Sequence, residues 1–392
     1  MQSLLYIIKK LGIKKSLTYI ALYPTRLIRK ALARLDALHD EIRWHKKMCR
    51  YLNLQASKNL KALPKKFQDE TKKRYSKFEY EVNLDWIRFY YHHNGRPDLH
   101  YIPENTFFLQ IEPLLNSYRY KFYYEDKNNY SKILKNFSQP RTVLRYINGS
   151  YYCHKYSILN ESEANSILQS YQKPWIIKPS IDSGGGQQIL KGQSKNNSIY
   201  LESDKVVIKD IANRYQRGFI IQELVSQPAI LDQFHPESLN TFRVVTLRLH
   251  QEITVLSSIV KFGTGNFLVD NSGKGGIWCG VTEDGKMSNV GYTNKFQKLQ
   301  SHPDSKIDFK NINFHFFESI KGFAINMHKE LLYFDLVSWD IAINKDEEPI
   351  LIEYNLRYQS ISNHQVANGP LFGDLTDDVL AKVIRRRNGN PA

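Results

Sequence analysis

The chain has 392 residues, of which 42% are hydrophobic and 24% charged; this balance supports a sizeable core over two or three structural units and excludes a collagen-like or globally disordered chain. There are 55 Lys and Arg against 39 Asp and Glu, a net charge of +16 with neutral histidines, which favours an anionic partner or surface. Three cysteines are too few for a disulfide framework or a cysteine-based zinc site, so we expect a reducing, cytoplasmic environment.

The N-terminal 75 residues carry most of the excess charge. They contain 19 Lys and Arg against five acids, and apolar residues recur at helical spacing from Leu4 to about Leu63. The pattern predicts a basic α-helical extension over residues 1–75, which ends in a polar connecting stretch from Pro64 to Arg74. No apolar run reaches the roughly 18 residues that a bilayer-spanning helix needs.

The basic helices of this extension have more than one possible partner. We expect them to pack on the rest of the protein and to keep a solvated basic face. The alternative is peripheral contact with the anionic inner membrane surface, or with a membrane-bound assembly such as a glycosyltransferase. Nucleic acid is not expected as a partner, because the sequence shows no recognisable nucleic-acid-binding module.

Residues 76–170 are predicted to form a mixed α/β region. The clearest element in it is a β-hairpin, in which Arg141 to Ile147 forms one strand, Asn148-Gly149 the turn and Tyr151 to Cys153 the returning strand. Residues 171–392 are expected to bind the nucleotide and the metal.

The first chemically informative run extends from Trp175 to Ile189. An apolar strand delivers Lys178, and the turn that follows contains Ser183, Gly184, Gly185 and Gly186. Glycine backbone can wrap N–H groups around anionic oxygens while the lysine supplies a positive charge, which suits a nucleoside triphosphate. The spacing excludes a P-loop or a Rossmann motif, and a simple hairpin is the alternative.

A second run, Phe219 to Val225, is an apolar strand with polar residues near its end. Its last four residues are Gln222, Glu223, Leu224 and Val225. A strand that continues into a linker in this way can present backbone C=O and N–H groups to an adenine edge. An ordinary buried strand is the alternative interpretation.

A third run places cations around a second glycine-rich stretch. Arg243 stands at the start of an alternating strand, and the residues around the glycines are Lys261, Asn271 and Lys274. Cations that flank glycine-rich backbone suit a site that neutralises a transferring phosphoryl group. A surface turn is the competing interpretation.

The segment Asp335 to Asn355 carries the sharpest chemical signal. Asp340 lies in one apolar strand, a polar turn reverses the chain, and a second strand returns with Glu353 and Asn355 on the same side. Two carboxylates and an amide oxygen on one face are hard ligands suited to Mg²⁺. Salt-bridged strands are the alternative, but acids within apolar strands are costly without a cation.

Taken in order, these runs resemble the ATP-grasp superfamily. In its D-alanine:D-alanine ligases the metal set is an Asp, a Glu thirteen residues later and an Asn two residues further on, and Asp340, Glu353 and Asn355 reproduce that interval. Lys178 with the glycines after it is similar to the nucleotide-binding lysine and loop of the superfamily. The segment 222–225 is similar to its adenine-binding linker.

Three further segments narrow the resemblance. Residues 269–276 look like the double-glycine loop of the glutamate ligases that modify ribosomal protein tails. Together with residues 222–228 and 238–246, they are most similar to the sugar-transfer-associated ATP-grasp group, over about Asp126 to Gly373. The resemblance implies an α+β ATP-grasp fold, in which two α+β subdomains grip ATP between antiparallel sheets, with the N-terminal α-helical region as an extension.

Several positions stay open within this resemblance. The basic residue of the first subdomain that contacts the nucleotide has several candidates, which include Arg141, Arg145 and Lys155, and the candidates for the residue that binds ribose are Gln227 and Asp232. Ser338 stands where the D-alanine ligases place an arginine, which argues against substrate carboxylate recognition of their type. The residues expected to face the substrate are Arg357, His364 and Gln365.

The resemblance implies an ATP-dependent carboxylate–amine ligase in polysaccharide or glycoconjugate synthesis, with ATP and Mg²⁺ as cofactors and an acylphosphate intermediate. Lys178, Arg243, Lys261 and Lys274 are the expected catalytic cations, and the substrates are a small-molecule or glycan carboxylate and an amine. The alternatives are an ATP-grasp kinase that phosphorylates a sugar hydroxyl and a nucleotide-binding scaffold for glycosyltransferases.

Overall fold

The computed structural model describes residues 60–79, 81–117, 119–181, 188–265, 270 and 275–389. The chain divides into two units, Met1–Asn59 and Leu60–Ala392, and the described residues belong to the second. The predicted N-terminal helical extension therefore lies outside the described residues up to Asn59, and its contacts stay predictions.

The second unit combines helices with antiparallel strands. In the described residues the α-helices are α1 (Lys65–Lys77), α2 (Leu84–Asn94), α3 (Glu104–Thr106), α4 (Glu112–Leu115), α5 (Lys121–Glu125), α6 (Tyr130–Ile133), α7 (Glu161–Ser170), α8 (Ile208–Arg214), α9 (Ala229–Asp232), α10 (Phe317–Glu330), α11 (Ser362–Asn368) and α12 (Thr376–Arg387). A π-helical turn spans Phe107–Ile111, and 3₁₀ turns span Lys127–Asn129 and Gly373–Leu375. None of these described helices is both long enough and apolar enough to cross a bilayer.

The described strands form two sheets. They are β1 (Thr142–Ile147), β2 (Ser150–Cys153), β3 (Ile158–Leu159), β4 (Trp175–Pro179), β5 (Leu190–Lys195), β6 (Ser198–Leu201), β7 (Asp204–Val206), β8 (Phe219–Glu223), β9 (Thr241–Leu249), β10 (Glu252–Phe262), β11 (Ile277–Val281), β12 (Met287–Tyr292), β13 (Lys298–Leu299), β14 (Leu336–Ile343) and β15 (Pro349–Asn355). The first sheet has the order β3-β2-β1-β8-β4-β5-β6-β7 and the second the order β13-β12-β11-β10-β9-β14-β15. Neighbouring strands are antiparallel in both, which confirms the predicted α+β architecture.

The first sheet contains the predicted hairpin of β1 and β2. Asn148 and Gly149 have φ angles of 47° and 83°, the left-handed pair that a two-residue hairpin turn with the twist of its strands requires. Strand β1 also pairs with β8, and β8 pairs with β4. The sequence predicts a boundary between two regions at residue 170. Strands from both sides of that residue share this sheet.

The second sheet buries one face against helix α10. Ile320 and Met327 are two turns apart on α10 and fully buried, and they belong to the same apolar core as Trp339 and Ile341 of β14. Because side chains alternate along a strand, Asp340 points to the opposite face. The packing of α10 thus determines which face of the sheet can carry polar chemistry.

The prediction of a polar connecting stretch from Pro64 to Arg74 is wrong. Helix α1 covers most of it, and Phe67, Thr71 and Tyr75 lie on its buried face. Their spacing of four residues is helical. The two aromatic residues, however, are two turns apart among many charges, which is too weak an apolar pattern to predict a helix. The Tyr75 hydroxyl donates a hydrogen bond to the carbonyl oxygen of Tyr101 and so anchors the helix.

We expect the contact between β4 and β5 to be intolerant of any side chain at Gly192. A Cβ there would lie 2.1 Å from the ring of Trp175, which is fully buried in the strand that carries Lys178. Gly192→Ala should lower the free energy of unfolding by about 1–3 kcal/mol, measured by urea denaturation.

Gly322→Ala is the matched control for this prediction. Gly322 lies inside α10 with no atom within 4 Å of a built Cβ, so alanine there should stabilise the protein by about 0.5–1 kcal/mol. Equal effects of the two substitutions would contradict the packing described for Trp175.

Candidate functional site

A cavity of about 660 Å³ is lined by strands of both sheets, a size that suits a nucleotide-sized ligand. The residues of the predicted site that line it are Lys178, Gln222, Glu223, Leu224, Val225, Arg243, Lys261, Asp340, Glu353 and Asn355. The fold therefore brings together side chains that are up to 177 positions apart in the sequence.

Arg243 and Asp340 form a two-pronged ion pair in the wall of this cavity. Arg243 Nε donates to Asp340 Oδ1 at 2.9 Å and Nη2 donates to Oδ2 at 2.5 Å, and the two residues are direct partners across β9 and β14. Lys261 Nζ from β10 lies 2.9 Å from the same Oδ1. Three adjacent strands thus contribute one charge each.

These contacts set the ionisation of Asp340. Burial alone would raise the pKa of its carboxyl, but Arg243 and Lys261 outweigh burial and place that pKa well below its usual range. Burial lowers the pKa of Arg243, but Asp340 overcomes this effect and raises it above its ordinary value. Asp340 is consequently ionised at neutral pH although its side chain is 7% exposed.

Asp270 also belongs to the site, and sequence reasoning missed it. Its Oδ1 lies 3.7 Å from Lys261 Nζ, and its other oxygen accepts a hydrogen bond from the Thr241 hydroxyl. Burial raises the pKa of Asp270, and the nearby ammonium of Lys261 opposes that rise. Asp270 directly precedes Asn271 in the sequence. The predicted pattern in this stretch consisted of cations and glycines and did not include an acid.

A β-bulge directs Glu353 into the cavity. Asp340 pairs with Glu353 but Ile341 pairs with Leu351, which leaves Ile352 as the extra residue of β15. In a regular strand Leu351 and Glu353 would share a face; with the bulge, Leu351 joins the apolar core while Glu353 lines the cavity. The predicted hairpin is confirmed, and the bulge is a feature that the alternating pattern did not predict.

Two lysines approach this bulged strand from the first sheet and its flanking turn. Lys178 Nζ donates to the carbonyl oxygen of Ile352 at 3.3 Å, and Lys127 Nζ donates to Glu353 Oε1 at 3.0 Å. Burial and the charge of Lys127 lower the pKa of Lys178 to about 8, although Glu353 opposes them. Lys178 can therefore gain or lose its proton near neutral pH.

Lys127 is a buried basic residue before Lys178, and sequence reasoning did not identify its contact with Glu353. Of the open candidates, Arg145 donates to Ser131 Oγ at 2.7 Å and packs 4.4 Å from the centroid of the Tyr156 ring. Lys155 is exposed, and none of the three candidates lines the cavity as described. Lys127 lies in a polar run of the sequence. That run has neither a strand pattern nor a loop pattern that predicts a role for this lysine.

The donor set of Asp340, Glu353 and Asn355 fits Mg²⁺ in chemistry. Glu353 and Asn355 are two residues apart beyond the bulge, and both line the cavity, so a carboxylate and an amide oxygen are close together on one strand. The described residues contain no cluster of three or more His, Cys, Asp or Glu that could hold a metal. A cation here would depend on the Asn355 oxygen and on ligand oxygens, which is common for Mg²⁺.

The segment 222–225 also lines the cavity. Gln222 is 6% exposed, its amide nitrogen donates to the carbonyl oxygen of Pro140 at 3.2 Å, and its Oε1 has no partner. Lys173 Nζ lies 2.5 Å from Glu223 Oε1 and is the main cause of the lowered pKa of Glu223. An unpaired buried acceptor beside a linker is consistent with the predicted adenine contact.

The two candidates for ribose binding are hydrogen-bonded to each other in the structure. Gln227 Nε2 donates to Asp232 Oδ1 at 3.0 Å, and both residues line the cavity. Six predicted site residues lie outside the described residues: Ser183, Gly184, Gly185, Gly186, Asn271 and Lys274.

Two buried carboxylates fix the loop that follows β15. Glu112 accepts hydrogen bonds from the backbone N–H groups of Tyr358 and Gln359 at 2.8 and 2.9 Å. Glu104 accepts from the hydroxyls of Ser360 and Ser362 at 2.9 and 2.6 Å. Both acids come from a segment more than 240 residues earlier, so no local sequence pattern predicts this contact.

The residues expected to face the substrate occupy different environments. Arg357 is 24% exposed and lies 3.7 Å from Glu125 Oε1. Gln365 is fully buried and exchanges two hydrogen bonds with the backbone of Ile102, which is a structural role. Only Arg357 of these is accessible to a ligand.

His364 is buried beside the charged cluster. Its Nδ1 lies 2.9 Å from Ser257 Oγ, and its Nε2 has no partner. Burial, aided by Arg243, lowers its pKa to about 3, so the imidazole is neutral.

The chain was also compared with known proteins. The family model described as sugar-transfer associated ATP-grasp matches residues 107–379. No curated protein sequence matches the chain.

Three ligases are among the solved structures that the comparison matches to this chain. The D-Ala:D-Ser ligase VanG from Enterococcus faecalis has a TM-score of 0.40 and 15% identity, covering 67% of this chain and 61% of its own. An L-amino acid ligase from Bacillus licheniformis has a TM-score of 0.37 and 13% identity, covering 65% of this chain and 47% of its own. A D-alanine–D-alanine ligase from Bacillus anthracis has a TM-score of 0.37 and 13% identity, with 68% of each chain covered. The chain thus spans about half to two thirds of these ligases, and identities this low say nothing about its substrates.

The pKa of Lys178 predicts proton uptake on nucleotide binding. Because that pKa is about 8 in the free protein and phosphate charge favours the protonated ammonium, binding of ADP at pH 8 should take up as much as about half a proton. Calorimetric titration in two buffers with different ionisation enthalpies measures this uptake.

Two variants give this titration its controls. Lys178→Met should remove the buffer dependence, whereas Lys191→Met, at another cavity-lining lysine, should retain it. A wild-type binding enthalpy that is independent of the buffer would contradict the lowered pKa.

We also expect Glu112→Gln to loosen the loop after β15. An amide has one acceptor oxygen where the carboxylate has two, so one of the N–H groups of Tyr358 and Gln359 loses its partner. The free energy of unfolding should fall by about 1–3 kcal/mol, measured in urea. Glu318→Gln, at a side chain 84% exposed, should change it by no more than about 0.5 kcal/mol.

Proposed function

The chain belongs to the sugar-transfer-associated ATP-grasp family, and on that premise we propose that it is an ATP-dependent carboxylate–amine ligase in the synthesis of a polysaccharide or another glycoconjugate. One observation carries the proposal. Asp340 and Glu353 face each other across β14 and β15 in the same cavity as Lys178, Arg243 and Lys261. Carboxylates and cations in one nucleotide-sized cavity suit phosphoryl transfer from ATP.

In this proposal ATP lies in the cavity with its adenine at residues 222–225. Gln222 Oε1, a buried acceptor without a partner, is available to the amino group of adenine. Lys178, with the glycines that follow it in sequence, contacts the phosphates. The two sheets hold these groups in place. The γ-phosphate is thereby positioned without a covalent bond between ATP and the protein.

The acidic end of the cavity is the proposed place of Mg²⁺. Asp340, Glu353 and Asn355 would hold the ion, which when bound neutralises charge on the β- and γ-phosphates. Lys127 and Arg243, which now pair with these carboxylates, orient them and limit the repulsion between them.

The proposed reaction has two steps. A substrate carboxylate attacks the γ-phosphorus of ATP, the bond to the β-phosphate oxygen breaks, and an acylphosphate and ADP result. The amine then attacks the acyl carbon, loses a proton and expels phosphate, which leaves an amide. Arg243 and Lys261 neutralise the phosphoryl oxygens during transfer, and the cavity walls exclude water from the acylphosphate.

The proposed setting follows from the substrates. ATP and the low cysteine content favour the cytoplasm, and a glycan precursor built at the inner membrane surface is the proposed source of the carboxylate or the amine. The basic N-terminal extension is proposed to contact that membrane surface or a glycosyltransferase.

Trapping with hydroxylamine tests the ligase directly. The full chain is incubated with Mg²⁺, ATP and a panel of uronic acids and amino acids. A ligase should form a hydroxamate with hydroxylamine and an amide with the true amine, each detected by mass spectrometry, and should release phosphate. A stable phosphorylated sugar without free phosphate would instead identify a kinase.

Asp340→Asn should lower this activity by at least about a hundredfold, because it removes one charge from the centre of the ion cluster. Asp284→Asn is the matched control, since Asp284 is 57% exposed in the turn between β11 and β12. Full activity of Asp340→Asn would exclude the proposed site, and intact pathway function without nucleotide turnover would favour a scaffold.

A further inference from the structure

Exposed apolar side chains concentrate in one place on the described part of the protein. Of the eight large hydrophobic side chains that are exposed there, five lie beside or on α5 and in the turn after α10. These five are termed the aromatic surface: Tyr120, Phe122, Tyr123, Leu332 and Tyr333. A single exposed leucine needs no explanation, but a contiguous group of this kind marks an interaction surface.

The two segments of the aromatic surface support each other although they are far apart in sequence. The rings of Tyr120 and Tyr333 stack with centroids 4.0 Å apart. Tyr124 packs behind them, 6.4 Å from Tyr333 and 5.1 Å from the buried Phe334. These contacts hold the two segments against the protein. Phe122 and Leu332 nevertheless expose 74% and 71% of their surface areas.

Cations border the aromatic surface on both segments. Arg119 is exposed at the start of the first segment. Arg248 donates to the carbonyl oxygen of Leu332 at 3.1 Å, which places a second guanidinium group at the border.

The acids near this border do not reverse its sign. Glu125 lies 3.7 Å from Arg357, and the exposed Lys329 and Glu330 at the end of α10 offset each other. The half-buried Asp126 after α5 is then the one acid set against Arg119 and Arg248. The border is positive on balance.

We propose that the aromatic surface rests in the headgroup region of a bilayer that contains anionic lipid. Tyrosine and phenylalanine rings beside Lys and Arg are the combination that stabilises contact with this region, because the rings enter the boundary while the cations meet lipid phosphates. Each exposed apolar side chain that enters the boundary gains the free energy of leaving water.

The N-terminal segment of the same chain is the other occupant to consider. Met1–Asn59 contains 13 Lys and Arg against three acids, so it has the same sign of charge as the border of the aromatic surface. Like charges oppose docking of this segment there, and both are attracted to the same anionic partner. Charge complementarity therefore favours lipid.

The location of the aromatic surface has a consequence that rests on the proposed function. Tyr354 of β15 donates its hydroxyl to the carbonyl oxygen of Tyr124, and Lys127, two residues after α5, reaches Glu353. A substrate carried on a lipid would thus approach the end of β15 from the bilayer. Binding itself requires neither ATP nor turnover, so a test of binding is independent of the proposed reaction.

Vesicle sedimentation with the full chain tests the proposal. Vesicles of phosphatidylcholine alone are compared with vesicles of equal parts phosphatidylcholine and phosphatidylglycerol, and we expect binding to the anionic ones. The double variant Phe122→Ser/Leu332→Ser should weaken that binding by at least about tenfold. Ile158→Ser, at a side chain 69% exposed on β3, should leave it unchanged.

A binding curve of the double variant equal to that of the wild type would overturn the proposal, because the N-terminal extension or another surface would then account for binding. So would failure of the wild type to bind the anionic vesicles. Circular dichroism and thermal unfolding show whether the double variant is folded.

A second measurement determines whether the aromatic surface enters the bilayer, and it keeps an aromatic side chain at position 122. Phe122→Trp and Ile158→Trp each add one tryptophan, and the fluorescence of each is measured over wild-type background with vesicles that contain brominated lipid. Quenching of the tryptophan at 122 alone supports the proposal. Equal quenching at both positions, or at neither, overturns it.

Discussion

The buried charge of Asp340 is the constraint on which the second sheet depends. An ionised carboxylate in a protein interior is costly unless cations reach it with good geometry. Arg243 and Lys261 meet this condition only when β9, β10 and β14 are in the observed register, because a shift of one residue would move each side chain to the opposite face. The ion cluster therefore links the order of these strands to the chemistry of the cavity.

The polar face around this cluster is stabilised from outside the sheet. Glu104 and Glu112 fix the loop after β15 by its own N–H and hydroxyl groups, and Asn116 bridges the carbonyl oxygens of Leu336 and Leu356 at 2.7 and 2.5 Å. The start of β14 and the end of β15 are thus connected by one side chain. These groups, which touch no predicted ligand, position those that do.

The same region joins the cavity to the surface. Helix α5 exposes aromatic rings on one side, and Tyr124 and Glu125 from it contact Tyr354 and Arg357 at the end of β15. A contact made by the aromatic surface would therefore act on residues adjacent to the proposed metal ligands. Few groups thus lie between the aromatic surface and the end of β15.

The sequence by itself determined the chemical inventory of the site and the local elements that carry it. The hairpin around Asp340 and the hairpin at Asn148 follow from alternation and turn chemistry within about 20 residues, and both are present. Tertiary structure alone decided which charges meet: Lys127 reaches Glu353, and Asp270 reaches Lys261, across 226 and nine positions. It also placed the bulge at Ile352, because a bulge is stabilised by the packing of Leu351 and by the Lys178 contact. Neither is encoded in the period of the strand.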